Sequence, residues 1–457
     1  MNHPRWGCLI ALGALLVACA PKVPVSGTLG TTHASASPTA AAPSPTPSAP
    51  SSSVTATENG GKTLVHTQNV VGTEFWDAAH VHLVEGTIDV DAPLTIAPGA
   101  TVDFSLGAGL VVAPAGTGSL IASGSPGLPI TFDSAATSPS PGDWCGIDVG
   151  SSAAPASSAT GDTCVLDHVV LAHAGEARPG QPTPQPGVGW AAIHVFKGSV
   201  LSITNSTVSA SAGTGLQLDV AALQSTGTLD QFGKNAFVKD ADYPIQVDPD
   251  LVGKLDTATT FSGDGTESVR LLALGGELTE IRQPQTWPKL TQDGNASNSD
   301  VVPYSWPLAL SSVEAKEILD PGVHVLFDLR GLMRIYEFGE IDAEGTSVDP
   351  VIFDSINSLN GTAKPGDWEG LRFLCCQDEL HNVFILHAGY GGLLTGYNAD
   401  LGLGNLAGQQ TLVTLDNVFL WLGSGVGLAY DTNTDFLADN VNIDPHPDGA
   451  TKSVSWY

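Results

Sequence analysis

The sequence repeats itself once, and this internal repeat limits the possible folds more than any other feature. Four short blocks occur in the same order in both halves of the chain, about 220 residues apart. The first copy has them at 94–104, 129–134, 141–146 and 166–175, and the second at 318–327, 350–355, 365–370 and 380–389. A repeat of this kind is typical of a duplicated structural unit, so it predicts two related halves.

After Thr63 the sequence alternates between apolar and polar residues in very short runs. Runs such as Thr87–Val90, Thr101–Phe104 and 130–132 follow one another, with glycine or proline in the turns between them. A period of two residues indicates β-strands, and these strands are shorter than those of an immunoglobulin-like sandwich. The pattern predicts a coil in which each winding lays its strands in parallel on the previous winding.

The repeated blocks resemble those of the right-handed parallel β-helix of bacterial cell-envelope proteins. The resemblance depends on the pattern TI-PG-V-F from Thr95, the block PI-F from Pro129, the turn PGDW-G over 141–146, and NAF…YPIQV over 235–247. It implies an all-β fold, a right-handed parallel β-helix with two duplicated halves, for nearly all of the chain after Thr63. The resemblance implies an architecture and not an activity.

Residues 1–19 have the pattern of a bacterial export signal. An apolar run over 9–17 leads to the sequence Leu-Val-Ala-Cys, which ends at Cys19. The run is shorter than the about 20 residues that span a bilayer, which argues against a membrane helix; an ordinary cleaved signal is the other alternative. The sequence resembles the lipobox of bacterial lipoproteins, which implies acylation of Cys19, for example with palmitate. Ala20 stands where that family places inner-membrane retention signals, which implies anchoring at the outer membrane.

Residues 20–62 are mostly Ala, Ser, Thr, Pro and Gly, and such a segment cannot bury enough apolar surface to fold. They are therefore predicted to form a disordered tether. Beyond it we predict a first β-helix half over 63–256, a junction over 257–304 and a second half over 305–457. The pattern of the junction is compatible with either a weak winding or a linker.

The chain is acidic, with 47 Asp and Glu residues against 17 Lys and Arg and a net charge of −30. Such a charge repels phosphate backbones, so nucleic-acid binding is disfavoured. Cations, cationic partners and neutral glycans are compatible with it. The sequence predicts no cofactor and no catalytic residue.

Two cysteines, Cys145 and Cys164, flank a segment rich in Ser and Ala. Export permits disulfides, and a bond between these two would stabilise the fold by about 3 kcal/mol in the chain-entropy model. The sequence therefore predicts this disulfide. The adjacent Cys375 and Cys376 either form a strained ring or remain a reduced pair.

The duplicated turn contains Asp143-Trp144 in one half and Asp367-Trp368 in the other. The β-helix polysaccharide lyases have clustered acidic calcium ligands and an Arg or Lys base, and this sequence has no such compact cluster. We therefore predict that the aspartates cap the turns and that the tryptophans pack over the next winding.

Four histidines occur in suggestive positions. His173 and His387 are equivalent in the two copies, which favours a structural hydrogen bond at a corner because one active site is not needed twice. His80 and His82 would lie on one side of a strand, a two-ligand metal grip at best. No third ligand is evident, so no metal site is predicted.

The sharpest functional pattern is aromatic. If Leu415 and Leu420 point inward, Phe419 and Trp421 point outward, because side chains alternate along a strand. Phe384 belongs to the preceding winding and aligns there with Phe419. These three residues form a candidate ligand-binding stripe, since exposed aromatic side chains stack on sugars or contact proteins.

The first copy has Thr207 and Ser209 at the positions of Phe419 and Trp421. The stripe is thus a feature of the second half alone. The alternative to an exposed stripe is that the insert over 391–410 folds over it and buries it. The sequence predicts a lipid-anchored, non-enzymatic envelope protein that binds a glycan or a protein. A polysaccharide lyase or glycoside hydrolase and a structural envelope spacer are the alternatives.

Overall fold

The fold is described from a computed structural model of the chain. The structure describes residues 56–59, 62–150, 164–176, 190–196, 198–218, 229–272, 278–292, 301–306, 310–336, 339–374, 376–391, 398–404, 411–431, 434–443 and 451–454. All of them belong to one compact unit over 50–457. The predicted signal peptide with Cys19, most of the predicted tether, and Cys375 lie outside the described residues.

The described residues form short β-strands and two short 3-10 helices, Pro249–Lys254 and Ile356–Asn360. The first strands are β1 Ala56–Asn59, β2 Thr63–His66, β3 Glu74–Trp76, β4 Val81–Val84, β5 Thr87–Val90, β6 Pro93–Ile96, β7 Thr101–Phe104, β8 Gly109–Val112, β9 Ser119–Ser123, β10 Ile130–Ser134, β11 Gly146–Val149, β12 Cys164–Asp167 and β13 Val169–Ala172. The next are β14 Ala191–Val195, β15 Leu201–Thr204, β16 Thr207–Ser209, β17 Thr214–Leu218, β18 Leu229–Gly233, β19 Ala236–Val238, β20 Ile245–Val247, β21 Thr260–Ser262, β22 Val269–Leu271, β23 Leu278–Ile281, β24 Gln285–Trp287, β25 Leu290–Thr291, β26 Val301–Val302 and β27 Tyr304–Trp306. The last are β28 Leu310–Val313, β29 Lys316–Leu319, β30 His324–Phe327, β31 Leu332–Ile335, β32 Glu340–Glu344, β33 Val351–Ser355, β34 Gly370–Phe373, β35 Cys376–Leu386, β36 Ala399–Leu403, β37 Thr411–Trp421, β38 Val426–Asp431, β39 Asp435–Asp439, β40 Asn442–Ile443 and β41 Thr451–Val454.

These strands wind into a parallel β-helix, which confirms the predicted fold class. Consecutive strands of the first half belong to three different sheets, and each strand pairs in parallel with the strand one winding later, as β7 does with β10 and β10 with β13. The parallel ladder satisfies the backbone of each winding with that of its neighbours. The described antiparallel pairs are β1 with β2 and β25 with β26.

Alternate side chains of each strand point into a dry apolar interior. Ile203 and Val208 in the first half are buried, and so are Leu415 and Leu420 in the second, which is the orientation on which the predicted aromatic stripe depends. The bends between strands carry residues with positive φ, among them Asn205 at 51° and Asn417 at 55°. Asparagine tolerates this left-handed conformation better than most residues, which suits it to these bends.

The junction between the two halves consists of windings. Strand β22 pairs in parallel with β20 of the first half and with β27, and β27 pairs with β30 of the second half. We call the resulting continuous sheet the long sheet; its strands are β5, β8, β11, β14, β17, β20, β22, β27, β30, β33, β35, β37 and β40. The parallel ladder therefore continues through the junction. Of the two alternatives that the sequence allowed there, a weak winding and a linker, the structure has the winding.

Equivalent strands of the two halves lie on different sheets. Strand β11 follows the duplicated turn of the first half and belongs to the long sheet, whereas its counterpart β34 pairs with β31 and β36 in another sheet. Conversely, β33 belongs to the long sheet, and its counterpart β10 does not. The second half thus continues the coil, but each of these equivalent strands lies one sheet further around it than in the first half.

The N-terminal end of the coil is closed by an antiparallel strand and by aromatic rings. Residues 74–83 contribute to this closure, because the buried side chains of Trp76 and His82 fill the end of the interior. The ring of Trp76 stacks on that of His66 at a centroid distance of 4.1 Å, and His66 Nε2 lies 2.9 Å from His82 Nδ1. Strand β1 pairs with β2 at the sheet edge.

The predicted disulfide between Cys145 and Cys164 is not supported, because the structure contains no disulfide between these two buried residues. The Sγ of Cys145 instead donates to the carbonyl oxygen of Gly107 at 3.3 Å. Cys164 occupies an inward position on β12, between Leu120 and Leu201 of the adjacent windings. In that position cysteine serves as a small apolar residue of the core.

Candidate functional site

The duplicated turn of the first half is a hydrogen-bonded structural corner. The hydroxyl of Ser134 donates to Asp143 Oδ2 at 2.6 Å, and the backbone N–H of Ser140 donates to the same oxygen at 3.0 Å. The neighbouring Trp144 is fully buried, donates from Nε1 to the carbonyl of Ala172 at 2.8 Å, and stacks on Phe104. These contacts confirm the predicted capping and packing roles.

The second half reproduces this corner almost atom for atom. Ser355 Oγ donates to Asp367 Oδ2 at 2.7 Å, and Trp368 Nε1 donates to the carbonyl of Leu386 at 2.7 Å. Burial raises the pKa of Asp367, but hydrogen bonds from Ser355 and Asn357 outweigh this and place the pKa below its ordinary value. A carboxylate held ionised by these donors suits a turn cap better than a general acid.

The equivalent histidines also have matching structural roles. His173 and His387 have φ of 59° and 55°, and each ring Nδ1 lies 2.7 Å from an aspartate Oδ1, of Asp133 in one half and Asp354 in the other. The predicted corner hydrogen bond is confirmed in both halves. His80 also pairs with an aspartate, but within its own turn, since its Nδ1 lies 2.9 Å from Oδ1 of Asp77, three residues earlier in the chain.

The carboxyl groups with strongly raised pKa values include Asp240, in the last part of the first half, and Asp264, in the junction. Burial raises the pKa of Asp240 to about 8 and that of Asp264 to about 7, and the two groups are adjacent because the backbone N–H of Asp240 donates to Asp264 Oδ1. Among the residues that the structure describes, no group of three or more His, Cys, Asp or Glu side chains is arranged to hold a metal ion.

The three predicted site residues come together on the outer face of the long sheet. Phe384 and Phe419 are opposite one another in adjacent windings, and their rings stack at a centroid distance of 4.6 Å and an interplanar angle of 10°. The indole of Trp421 stands almost perpendicular to both rings, at 5.6 and 5.4 Å. All three side chains are half-buried. The predicted register and orientation are confirmed.

Aliphatic side chains extend this cluster. Ile352 is opposite Phe384 in the preceding winding, Leu386 is opposite Trp421, and both are half-buried. Leu422 follows Trp421 at the corner, and 48% of it is exposed. We call these six residues the aromatic patch: Ile352, Phe384, Leu386, Phe419, Trp421 and Leu422. Sequence reasoning missed Leu422, although a large apolar residue at a corner position was the available signal.

The first half has no counterpart to this patch at the equivalent positions. Thr207 and Ser209, which the sequence aligns with Phe419 and Trp421, are half-buried small residues on β16, outside the long sheet. The insert that was predicted to extend over 391–410 is described at Gly391 and 398–404 only. Residues 392–397 and 405–410, on which burial of the stripe depends, lie outside the described part of the chain.

Leu422 has a φ of 58°, a backbone conformation that is unfavourable for leucine by about 1–2 kcal/mol. Replacing Leu422 with Asn should therefore raise the free energy of unfolding by about 1 kcal/mol, because asparagine accepts this conformation more readily. Chemical denaturation of both proteins measures the change. The control is Leu437→Asn, at a residue that is 64% exposed and has no positive φ, where no gain is expected.

The described residues include no helix that is long and apolar enough to cross a membrane. Comparisons with protein families, with curated proteins and with solved structures found no match to this chain.

Proposed function

We propose that this chain is a lipid-anchored protein of the bacterial outer membrane that binds a glycan or another protein without catalysing a reaction. The observation that carries the binding role is the aromatic patch, a contiguous apolar surface on the outer face of a fold whose interior is already filled. Apolar surface that remains on the outside of a stable fold is typical of an interaction site. The lipid anchor rests on the sequence before and at Cys19 alone.

Leu422 supports the binding role independently of the aromatic rings. Its backbone is held in an unfavourable conformation while half of its apolar side chain is left in solvent. A polar residue would be more stable at this corner, and His387 and Asn417 occupy comparable corners. Strain retained next to exposed apolar side chains is common at functional sites.

Replacing Trp421 with Ala tests the proposal. The side chain contacts both phenylalanines, so its loss should weaken binding at least tenfold, the effect expected for an aromatic anchor. Binding of wild type and variant is compared on a glycan array and in pull-downs of envelope extracts, followed by titration of whatever binds.

The matched control is Ser209→Ala, which removes an outward side-chain hydroxyl at the position of the first half that is equivalent to Trp421 and should leave binding unchanged. Equal binding by wild type and Trp421→Ala would contradict the proposal. Release of oligosaccharides from a polysaccharide by the wild-type protein would instead favour the lyase or hydrolase alternative, and absence of both activities would favour an envelope spacer.

A further inference from the structure

The partner of the aromatic patch can be specified further from the packing of its rings and from the charges beside it. We propose that the patch docks a protein segment that presents apolar side chains together with lysine or arginine. This inference rests on the proposed binding function and names the chemistry of its partner.

The phenylalanine rings of the patch offer edges rather than faces. Phe384 and Phe419 stack on each other, and the neighbours on the two outer sides of this pair are Ile352 and Asn442, one winding away in each direction. Adjacent strands are separated by about 4.8 Å, the spacing of a stacked contact, so the faces of both rings are turned toward neighbouring side chains. A pyranose needs an open ring face to stack on, which leaves only Trp421 for a glycan.

The rest of the patch is aliphatic. Ile352, Leu386 and Leu422 supply apolar surface with no ring face, and none of them carries a group that hydrogen-bonds a hydroxyl. Surfaces of this composition, with an aromatic anchor among aliphatic side chains, are typical of the centre of a protein–protein interface. The composition favours apolar side chains of a partner protein over a sugar.

An acidic row lies beside the patch on the adjacent face of the coil. Glu344, His381, Asp416 and Asp439 are opposite one another in successive windings, and Glu379 lies two residues before His381. Asp416 is separated from Phe419 only by the corner residue Asn417 and the inward Val418. The four carboxylates of this row, defined as Glu344, Glu379, Asp416 and Asp439, therefore border the patch.

The acidic row is accessible and has no strong cationic partner. Glu344, Glu379 and Asp439 are exposed, and in the described part of the chain no lysine or arginine forms an ion pair with any of the four. His381 lies between two of them, with Nε2 at 3.4 Å from Glu379 and Nδ1 at 3.5 Å from Asp416. Lys316, on the same side, is engaged by Glu340 and Asp342.

The charges select the partner. Four carboxylates at the edge of an apolar surface, on a chain with a net charge of −30, attract a cationic rim and repel acidic glycans and acidic proteins. Lysine or arginine side chains on the partner would meet the acidic row while apolar side chains cover the patch. This arrangement of apolar centre and charged rim gives both affinity and orientation.

The test uses the folded chain and four sets of short synthetic peptides of equal length: basic and apolar, basic and polar, acidic and apolar, and neutral and apolar. A neutral glycan array is screened in parallel. We expect the basic and apolar set to bind best, and we expect its affinity to fall as the salt concentration rises. Fluorescence anisotropy of labelled peptides gives the dissociation constants.

Two variants separate the contributions. The double substitution Trp421→Ala and Leu422→Ala should weaken peptide binding about 30-fold by removing the apolar anchors. The double substitution Glu379→Gln and Asp416→Asn should weaken it only about three- to tenfold and should reduce its salt dependence. The matched control, Glu85→Gln with Asp230→Asn, removes two exposed charges from the first half and should change neither quantity. Unaltered melting temperatures verify that each variant is folded.

Three outcomes decide the matter. Preference for the basic and apolar peptides, lost in both patch and acidic-row variants but not in the control, supports the inference. Binding of neutral glycans that depends on Trp421, without peptide binding, overturns it and leaves the proposed binding function intact. If neither peptides nor glycans bind in a way that depends on Trp421, both the inference and the proposed function are wrong.

Discussion

Replacing Trp368 with Ala should lower the free energy of unfolding of the second half by about 3–5 kcal/mol. The side chain is completely buried and lies flat on Phe327 at a centroid distance of 4.1 Å. Its Nε1 also donates to the carbonyl of Leu386 at 2.7 Å. The substitution leaves a large cavity and removes the partner of a carbonyl group, and both effects destabilise.

The first half provides a matched substitution. Trp144 is equally buried, stacks on Phe104 at 3.9 Å and donates to the carbonyl of Ala172, so Trp144→Ala should have an effect of the same size. Because the windings of a solenoid contact only their neighbours, each loss should be confined to its own half. Hydrogen exchange measured along the chain should show faster exchange in β30, β33 and β34 for Trp368→Ala, and in β7, β10 and β11 for Trp144→Ala.

A smaller substitution acts as the control for these two. Trp368→Phe keeps an aromatic ring in the stack and loses only the N–H donor and part of the volume, so we expect it to destabilise less than Trp368→Ala. Uniform loss of protection over the whole chain would contradict the local picture, and so would a destabilisation below about 1 kcal/mol in either Trp→Ala variant.

Lowering the pH from 7 to about 4.5 should destabilise the N-terminal cap by on the order of 2 kcal/mol. Burial, together with the charge of His82, lowers the pKa of His66 from 6.5 to about 3. Burial also lowers the pKa of His82, despite the contact of its Nε2 with the carbonyl oxygen of Asp77. Below pH 6.5 the unfolded chain binds protons that the folded cap excludes, so stability is full above that pH and falls as the pH approaches 3.

This loss of stability has to be measured at the cap itself, because other groups of the protein titrate over the same pH range. Protonation of His324, whose pKa burial and Lys289 lower to about 4, destabilises the second half over a similar range. The raised pKa values of Asp240 and Asp264 act in the opposite sense, since these folded carboxyls keep protons that the unfolded chain loses as the pH rises. Hydrogen exchange of β2 and β4, corrected for the intrinsic effect of pH, isolates the contribution of the cap.

The double substitution His66→Leu and His82→Val removes the titrating groups and should make the protection of β2 and β4 independent of pH between 7 and about 4.5. Valine suits the second position because Val102 occupies the same inward position one winding later. His381→Asn, at a half-exposed residue of the second half, is the control and should leave the response of the cap to pH unchanged. A wild-type cap equally protected at both pH values would contradict the prediction.

The two halves use one set of structural devices and differ in what they present to solvent. The Ser–Asp turn, the Trp–Phe stack and the His–Asp corner occur in both, and each satisfies polar groups or fills the interior. Outward positions are not constrained in this way, because any side chain that tolerates a strand fits there. The aromatic patch is therefore the feature in which the second half has diverged from a common scaffold.

Much of this fold could be predicted from the sequence because the information is local. Alternation with a period of two places Leu415 and Leu420 inward and Phe419 and Trp421 outward, whatever the rest of the chain does. The repeat aligns Phe384 with Phe419, and the asparagines mark the corners. The turn residues were also predictable, since Asp, Gly and Trp at fixed spacing recur in both copies.

What only the tertiary structure decided depends on contacts between residues far apart in the chain. The path through the junction determines which sheet each strand joins, and it places β33 and β11, which are not equivalent, in one sheet. The hydrogen bond from Cys145 to Gly107 and the contact of His66 with His82 join segments whose sequences carry no sign of one another. Alternation along a strand specifies which side chains point inward and which point outward. Which sheet of the coil a strand joins depends instead on the combined geometry of all the turns before it, and no local sequence pattern encodes that combination.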